Sequence, residues 1–336
     1  MATPFIIAGN EHFLNASIGI ALYPEDGKTA EELLRNADTA MYRAKEGGRG
    51  RFVYFEERMN VAAVARVNLE RDLRRAIDRN EFSLRYQPQL DLRTGRVSGV
   101  EALLRWDSPD HGERQPAEFI ALAEETGLIE PIGEWALREA CRQYVAWQEE
   151  GVLLPHLAVN VSARQFRQKE FVAKVRTIVR ETGIVPQCLE LEITESLLID
   201  ANSGVAAMLD ELHALGINLG LDDFGTGYSS LAYLKHFPMR TVKIDRTFIT
   251  DLGAADGSGA IAAAIIAMAH ALQRRVVAEG VETERQAAIL ARLGCDHIQG
   301  HYYCWPLTVP MLAEFVNRAA SEAPRPIASR KLAARR

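Results

Sequence analysis

The chain has 336 residues, 48% of them hydrophobic and 25% charged, with a formal net charge of -6. That balance is ordinary for a folded globular protein and excludes disordered and membrane-embedded classes, while the acidic charge argues against a general nucleic-acid binder, which needs a basic face for phosphates. Cys141, Cys188, Cys295 and Cys304 form no CxxC pair and no secretory signal opens the sequence, so reduced thiols and a cytoplasmic location are expected, with a membrane-tethered parent left open.

Residues 1–56 read as a small α+β piece, with strand-like ASIGIALYP, helical AEELLRNADTAMYRAKEGG and strand-like RFVYF. It is too small to bury a core alone. Residues 57–80 carry apolar positions at helical spacing and read as a linker helix. From Glu81 eight β-rich runs follow: FSLRYQPQLDL, VSGVEALLRW, LAVNVS, LELEITES, NLGLDDF, TVKIDRTFI, RVVAEGV and HIQGHYY. Amphipathic runs such as AEFIALAEETGL, FVAKVRTIVRET and ERQAAILARLG separate most of them, several ended by glycine as helices commonly are. The longest apolar run, Ile261 to Ala269, is too short to span a bilayer, so no membrane passage is expected.

Alternating strands and helices predict a largely parallel sheet, and eight strands over roughly 235 residues favour a closed, TIM-like (β/α)8 barrel over an open sheet. Only the turn LRTGR separates the first two strands, so these are expected to pair antiparallel. The barrel domain is assigned to residues 81–318. Residues 319–336 end in APRPIASRKLAARR, with five basic and no acidic residues, and read as a flexible tail.

A β/α barrel carries its active site at the carboxyl ends of its strands. Here those ends hold Glu101 with Arg105, Asn160, Glu192, Asp222 with Asp223, Lys243 with Asp245, Glu279 and Gln299. Carboxylates crowded into one low-dielectric mouth repel one another unless cations balance them. Oxygen-only donors point to hard divalent ions, Mg²⁺ or Mn²⁺, rather than zinc, and the eight histidines read as incidental. Strand alternation puts Glu190 beside Glu192 and Lys243 beside Asp245 on one face. Neighbouring Asp222 and Asp223 both reach the mouth only if the pleat stops, and FGTG, with Gly225 and Gly227, is the expected break.

Taken in order, EALLRW at 101–106, VNVS at 159–162, LEITES at 191–196, DDFGTGYSS at 222–230, KID at 243–245, AEGVE at 278–282 and QG at 299–300 resemble the EAL family of cyclic di-GMP phosphodiesterases. The resemblance implies a barrel that uses two Mg²⁺ or Mn²⁺ ions to hydrolyse cyclic di-GMP to linear pGpG. It implies Glu101, Asn160, Glu192 and Asp222 as ligands of one ion, with Asp222 bridging to a second ion shared with Asp223. Lys243, Asp245 and Glu279 would surround the attacking water. Gln87, Pro88, Arg105 and Gln299 would contact substrate, and Glu195 would anchor the DDFGTG loop. A homodimer and an upstream sensory domain in the full-length protein are also implied.

The segment GHYYCWPL departs from the family pattern, with His301 in place of the commoner tyrosine and Trp305 in place of a basic residue, which bears on affinity or packing rather than chemistry. SIGIALYPEDG and ADTAMYRAKEGGRGRFVYF resemble the final third of a GGDEF diguanylate cyclase domain, but the GGDEF signature is absent and synthesis of cyclic di-GMP is not expected. The rival to the enzyme is a receptor that binds cyclic di-GMP without hydrolysing it.

Overall fold

The computed structural model describes the whole chain except residues 1–4, 8–9, 13–14, 49, 200–202, 227–235, 253–258 and 322–336. The basic tail beyond Ser321 and residues 227–230 of the DDFGTGYSS segment thus lie outside the described residues. Two compact units are present, Met1–Arg75 and Ala76–Arg336, and the helix Glu57–Asp78 runs through the division.

In the first unit, β1 (Phe5–Ile7) pairs antiparallel with β2 (Asn10–His12), and β3 (Ile18–Ile20) pairs parallel with β4 (Phe52–Tyr54). The connecting helix Ala30–Glu46 begins with a reciprocal cap between Thr29 and Glu32, which satisfies two otherwise unpaired amides. It packs so closely on β3 that a Cβ on Gly19 would meet the Ala37 carbonyl at 1.9 Å. The buried cluster of this unit is small: Ala40, Phe55 and Met59.

In the second unit the eight predicted strands form a closed barrel. In chain order they are β5 (Phe82–Asp91), β6 (Val97–Ser108), β8 (Leu157–Asn160), β9 (Leu189–Thr194), β10 (Asn218–Phe224), β11 (Thr241–Ile244), β12 (Arg275–Ala278) and β13 (His297–Ile298). Each pairs with the next, and β13 pairs back onto β5. All neighbours are parallel except β5, which runs antiparallel to both β6 and β13, as the short LRTGR turn predicts. A short extra strand, β7 (Gly112–Arg114), extends β6 as a hairpin; its sequence carries no alternating apolar signal.

The helices lay apolar faces on the outside of the barrel. Helices Pro116–Thr126, Phe171–Thr182 and Glu284–Leu293 each end on a glycine, Gly127, Gly183 and Gly294, in the left-handed conformation that glycine adopts without steric cost. The final helix, Val309–Ser321, runs past the expected boundary at 318. Among the described residues no helix is long and apolar enough to cross a membrane.

The barrel interior is polar where most such barrels are aliphatic. Glycines make the room: a Cβ on Gly99 would lie 2.3 Å from the His156 ring, and one on Gly220 would lie 3.2 Å from Glu192 Cγ. Both leave space for a layer of buried Gln89, Glu190 and Thr241 and half-buried His156 beneath the mouth. There Thr241 Oγ1 donates to Glu190 Oε2 at 2.8 Å, Gln89 Oε1 faces His156 Nε2 at 3.0 Å, and Gln89 Nε2 donates to Gln299 Oε1 at 3.0 Å.

Candidate active site

Above that layer the strand ends bring the predicted acids together around one lysine. Lys243 Nζ lies 2.6 Å from Glu192 Oε2, 2.6 Å from Glu279 Oε1, 3.3 Å from Asp222 Oδ1 and 3.4 Å from Glu101 Oε2. Glu101, Glu192 and Lys243 are buried, at 3%, 1% and 1% exposure, so solvent screens these charges little. Burial works against the lysine's charge, but Asp222, Glu101, Glu192 and Glu279 outweigh it and hold the ammonium well above the usual lysine pKa. A single ammonium cannot satisfy four acids. Burial, with Glu101 and Asp222 adding repulsion, pushes the Glu192 carboxyl well above the ordinary range despite Lys243. Burial likewise raises Glu279 to about 8 against the pull of Lys243.

Glu101 behaves differently because it has more donors. Burial raises its pKa, yet Lys243 and hydrogen bonds from Gln299 Nε2 and Asn160 Nδ2, both at 2.5 Å, carry it below the ordinary value. Gln299 Nε2 also donates to Gln87 Oε1 at 3.1 Å, and Gln87 Nε2 donates to the Cys304 carbonyl at 3.0 Å. Glu101, Gln87 and Gln299 are thereby fixed as one wall. Glu192 Oε1, in contrast, is buried with no hydrogen-bond partner among the described residues. An orphaned carboxylate oxygen is costly, and its presence beside so many acids fits a divalent cation held by these residues.

Asp222 and Asp223 do both reach the mouth, but the pleat breaks one step earlier than the glycines suggest. In the β10 and β11 pairing, Leu221 faces Val242 and Phe224 faces Ile244, so β10 carries one extra residue. Asp223 has φ +52°, a left-handed backbone that aspartate tolerates better than most residues. This bulge re-aims the second carboxylate, as bulges beside active sites do. Asp222, Asp223 and Glu279 each offer an oxygen within 4.8 Å of one another. Partial burial, then repulsion from Asp222 and Asp245, raises Asp223 to about 6.

The loop after β10 is held from below. Glu195 Oε2 accepts the Gly225 N–H at 3.1 Å, and Gly225, at φ +98°, has no room for a side chain because a Cβ would meet the Phe248 ring at 2.8 Å. Asp245 lies just past β11, where its Oδ1 accepts the Thr247 N–H at 2.9 Å and the Thr247 hydroxyl at 2.5 Å. Lys243 and Asp245 therefore take different surroundings, one buried and one at the rim.

Gln87, Glu101, Asp222, Glu279 and Gln299 line a cavity of about 250 Å³ at the mouth. Two residues expected to contact substrate do not line it. Arg105 Nη1 donates to the Leu104 carbonyl at 2.7 Å and Arg105 Nε lies 3.8 Å from Glu113 Oε1 on the β7 hairpin. Pro88 faces Val100 on β6, one residue out of phase with Gln87 and Gln89. The cavity also includes Arg246, Glu282 and His301, which sequence reasoning did not single out as site residues. The signal for Arg246 was its place directly after KID, and Gly280 (φ +63°) is needed beside it, since a Cβ there would lie 2.5 Å from Arg246 Cβ. His301 stacks on Trp305 with ring centroids 3.4 Å apart.

The model of the EAL domain family matches residues 70–306. The chain belongs to the EAL family. Residues 1–51 match the family described as diguanylate cyclase, GGDEF domain. Among curated proteins, the chain is 45% identical over 312 residues to the bifunctional diguanylate cyclase/cyclic di-GMP phosphodiesterase MucR of Pseudomonas aeruginosa, covering 93% of this chain and 46% of that protein. It is 40% identical over 329 residues to the cyclic di-GMP phosphodiesterase NbdA of the same organism, covering 98% of this chain and 42% of NbdA. The chain thus spans less than half the length of these relatives. Among solved structures, the PaMucR phosphodiesterase in complex with c-di-GMP superposes with a TM-score of 0.71 at 44% identity, covering 73% of this chain and 99% of that one.

Proposed function

We propose that this EAL-family chain is a metal-dependent phosphodiesterase that hydrolyses cyclic di-GMP to linear pGpG with two ions of the Mg²⁺ or Mn²⁺ class. The observation that carries the reading is unmatched charge at the mouth: four carboxylates close on one ammonium, a fifth, Asp223, is turned toward them, and buried Glu192 Oε1 has no partner. The donors are oxygens throughout, which suits hard cations. Glu101, Asn160, Glu192 and Asp222 would hold one ion, and Asp222 and Asp223, with Asp245 and Glu279 beside them, the other. When bound, such a pair lowers the pKa of a water and stabilises the attacking and leaving oxygens of an in-line displacement.

The chain's own residues supply orientation. Lys243, clamped by Glu192 and Glu279, stays protonated and, with Asp245 and Glu279, would surround the attacking water. Glu279 stands where it can take a proton from the attacking water. Gln87 and Gln299 form the wall against which substrate lies, and Arg105 reaches it after release from Glu113. Glu195 fixes the loop that carries Asp222 and Asp223. Both relatives are named for cyclic di-GMP and the superposed structure is a complex with it, which supports it as substrate. The homodimer, a cytoplasmic location and an upstream sensory domain belong to the same proposal; the free state of all four cysteines supports the location, and the relatives' greater length supports the added domain.

Chromatography of cyclic di-GMP incubated with the protein tests the reading. The expected result is pGpG, formed with Mg²⁺ or Mn²⁺ and not with a chelator. Intact cyclic di-GMP that nonetheless binds by calorimetry would make the protein a receptor, and no binding at all would end both readings.

A further inference from the structure

The opposite end of the barrel holds a second concavity, larger than the mouth. Asp91 at the end of β5, Ser98 early in β6, Arg275 opening β12 and His297 opening β13 border a cavity of about 710 Å³, together with Arg93 and Arg96 of the β5 to β6 turn. That size falls within the range of small-molecule sites, about 300–1,000 Å³. All of these residues lie at the amino ends of the parallel strands or in the turn that ends β5, so the cavity is on the floor, remote from the catalytic layer.

Its chemistry is that of an anion site. Arg93, Arg96 and Arg275 form no ion pair among the described residues, although two carboxylates line the same cavity. Those carboxylates are already occupied: Asp91 Oδ1 accepts the Arg93 and Thr94 amides at 2.9 and 2.7 Å, and Asp296 Oδ2 accepts the Val276 amide at 2.8 Å and lies 2.9 Å from His270 Nε2. Two residues of the lining, Ser98 and His297, each also carry a buried polar atom, Oγ and Nδ1, with no hydrogen-bond partner among the described residues. Buried polar atoms are ordinarily satisfied, and unsatisfied ones call for a partner. Three free guanidinium groups with an orphaned hydroxyl and an orphaned ring nitrogen match an oxyanion, which accepts charge-assisted hydrogen bonds from arginine and ordinary ones from the others.

We propose that the barrel floor, through Arg93, Arg96, Arg275, Ser98 and His297, is a binding site for a phosphate-bearing small molecule, separate from the cyclic di-GMP site at the mouth. A sulfate-sized anion alone would leave most of the cavity unfilled, so the phosphate is expected as one part of a larger ligand. Titration calorimetry in chelator, with inorganic pyrophosphate in one arm and ADP in the other, distinguishes a bare phosphate requirement from a nucleoside one. The expected result is saturable binding of at least one probe, weakened at least about tenfold, ~1.4 kcal/mol, in Arg275→Gln or in Arg93→Gln/Arg96→Gln, and unchanged in the mouth variant Asp222→Asn. The double variant changes two exposed side chains, so it keeps the test decisive if Arg275→Gln fails to fold by circular dichroism. Absence of saturable binding up to about 10 mM of both probes, or binding that the floor variants leave intact, overturns the proposal.

Discussion

The mouth layer of Glu101, Glu192, Asp222, Lys243 and Glu279 and the layer of Gln89, His156, Glu190 and Thr241 beneath it are both polar and both enclosed by the same strands, yet they are satisfied differently. In the lower layer each side chain has a partner: Thr241 donates to Glu190, and Gln89 bridges His156 and Gln299. Burial works against charge in that layer, raising the pKa of Glu190 and lowering His156 to about 4. In the mouth, among the described residues, four acids close on one ammonium and one carboxylate oxygen is orphaned. Polarity inside a barrel is therefore a matter of packing, and only unmatched charge marks the chemistry. Both layers contain a buried glutamate, two residues apart on β9, which makes the contrast testable with near-identical substitutions.

The largest expected effect is that of Asp222→Asn. On the proposed two-ion reading this carboxylate is shared between the ions, so weakening it is predicted to cost at least about a thousandfold in turnover, ~4 kcal/mol, measured at saturating Mg²⁺. Activity within about threefold of the parent, a loss under ~0.7 kcal/mol, would remove Asp222 from the proposed catalytic centre. Glu195→Ala comes next, since its carboxylate accepts the Gly225 amide of the loop that follows Asp222 and Asp223. It is predicted to lower activity roughly 10- to 100-fold and to raise the Mg²⁺ requirement, as loss of a ligand-orienting partner does, with the circular dichroism spectrum unchanged. Unaltered Mg²⁺ dependence in the folded variant would reduce Glu195 to a helix cap.

A pH effect separates the layers in the chelator-treated protein. Glu279, raised to about 8 in the fold, favours the protonated native state, so its contribution is present at low pH and lost as pH rises through that value. His156, lowered to about 4, acts in the opposite sense, but only below the unfolded histidine value of about 6.5. Above about pH 6.5 the histidine no longer contributes and the raised mouth acids, Glu279 with Glu192, act in one direction, so the melting temperature of metal-free protein is expected to fall toward about pH 8.5, with added Mg²⁺ flattening the fall. A melting temperature independent of pH in that window would show the mouth acids to be compensated already. Glu190→Gln is the smallest effect: an amide oxygen can still accept from Thr241, and turnover is predicted to stay within about threefold, under ~0.7 kcal/mol.

Much of this was legible in the residues themselves. The eight strand runs, their alternation with amphipathic segments and the antiparallel first pair follow from hydrophobic period and turn length, and the structure realises them in order. Strand-end position was enough to gather Glu101, Glu192, Asp222, Lys243 and Glu279. What was hidden depends on side-chain direction or on backbone angles. The extra residue at Asp223 leaves no mark in composition, because aspartate at φ +52° is written no differently from aspartate in a strand. Arg105 shares a strand with Glu101, yet the β7 hairpin, which has no apolar pattern, supplies the Glu113 that draws it aside. His156 looked incidental because its only sequence signal is a glycine, Gly99, 57 positions earlier, whose missing side chain is the space the imidazole fills.

Because β5 runs against its neighbours, the polypeptide enters this barrel at the rim, whereas a barrel that starts with a parallel strand is entered from the floor. Phe82 pairs with Trp106, five residues above the level where Gln87 pairs with Glu101, so the entry point stands about 16 Å outward of the reacting centre. Tension or torsion applied to the segment ahead of Phe82 is therefore delivered to the open end, along a two-stranded ribbon whose members carry Gln87 and Glu101. No force has to cross the hydrophobic shell. The start of β5 and the mouth cavity share one face, and a shift of this ribbon would move Gln87 and Glu101 together.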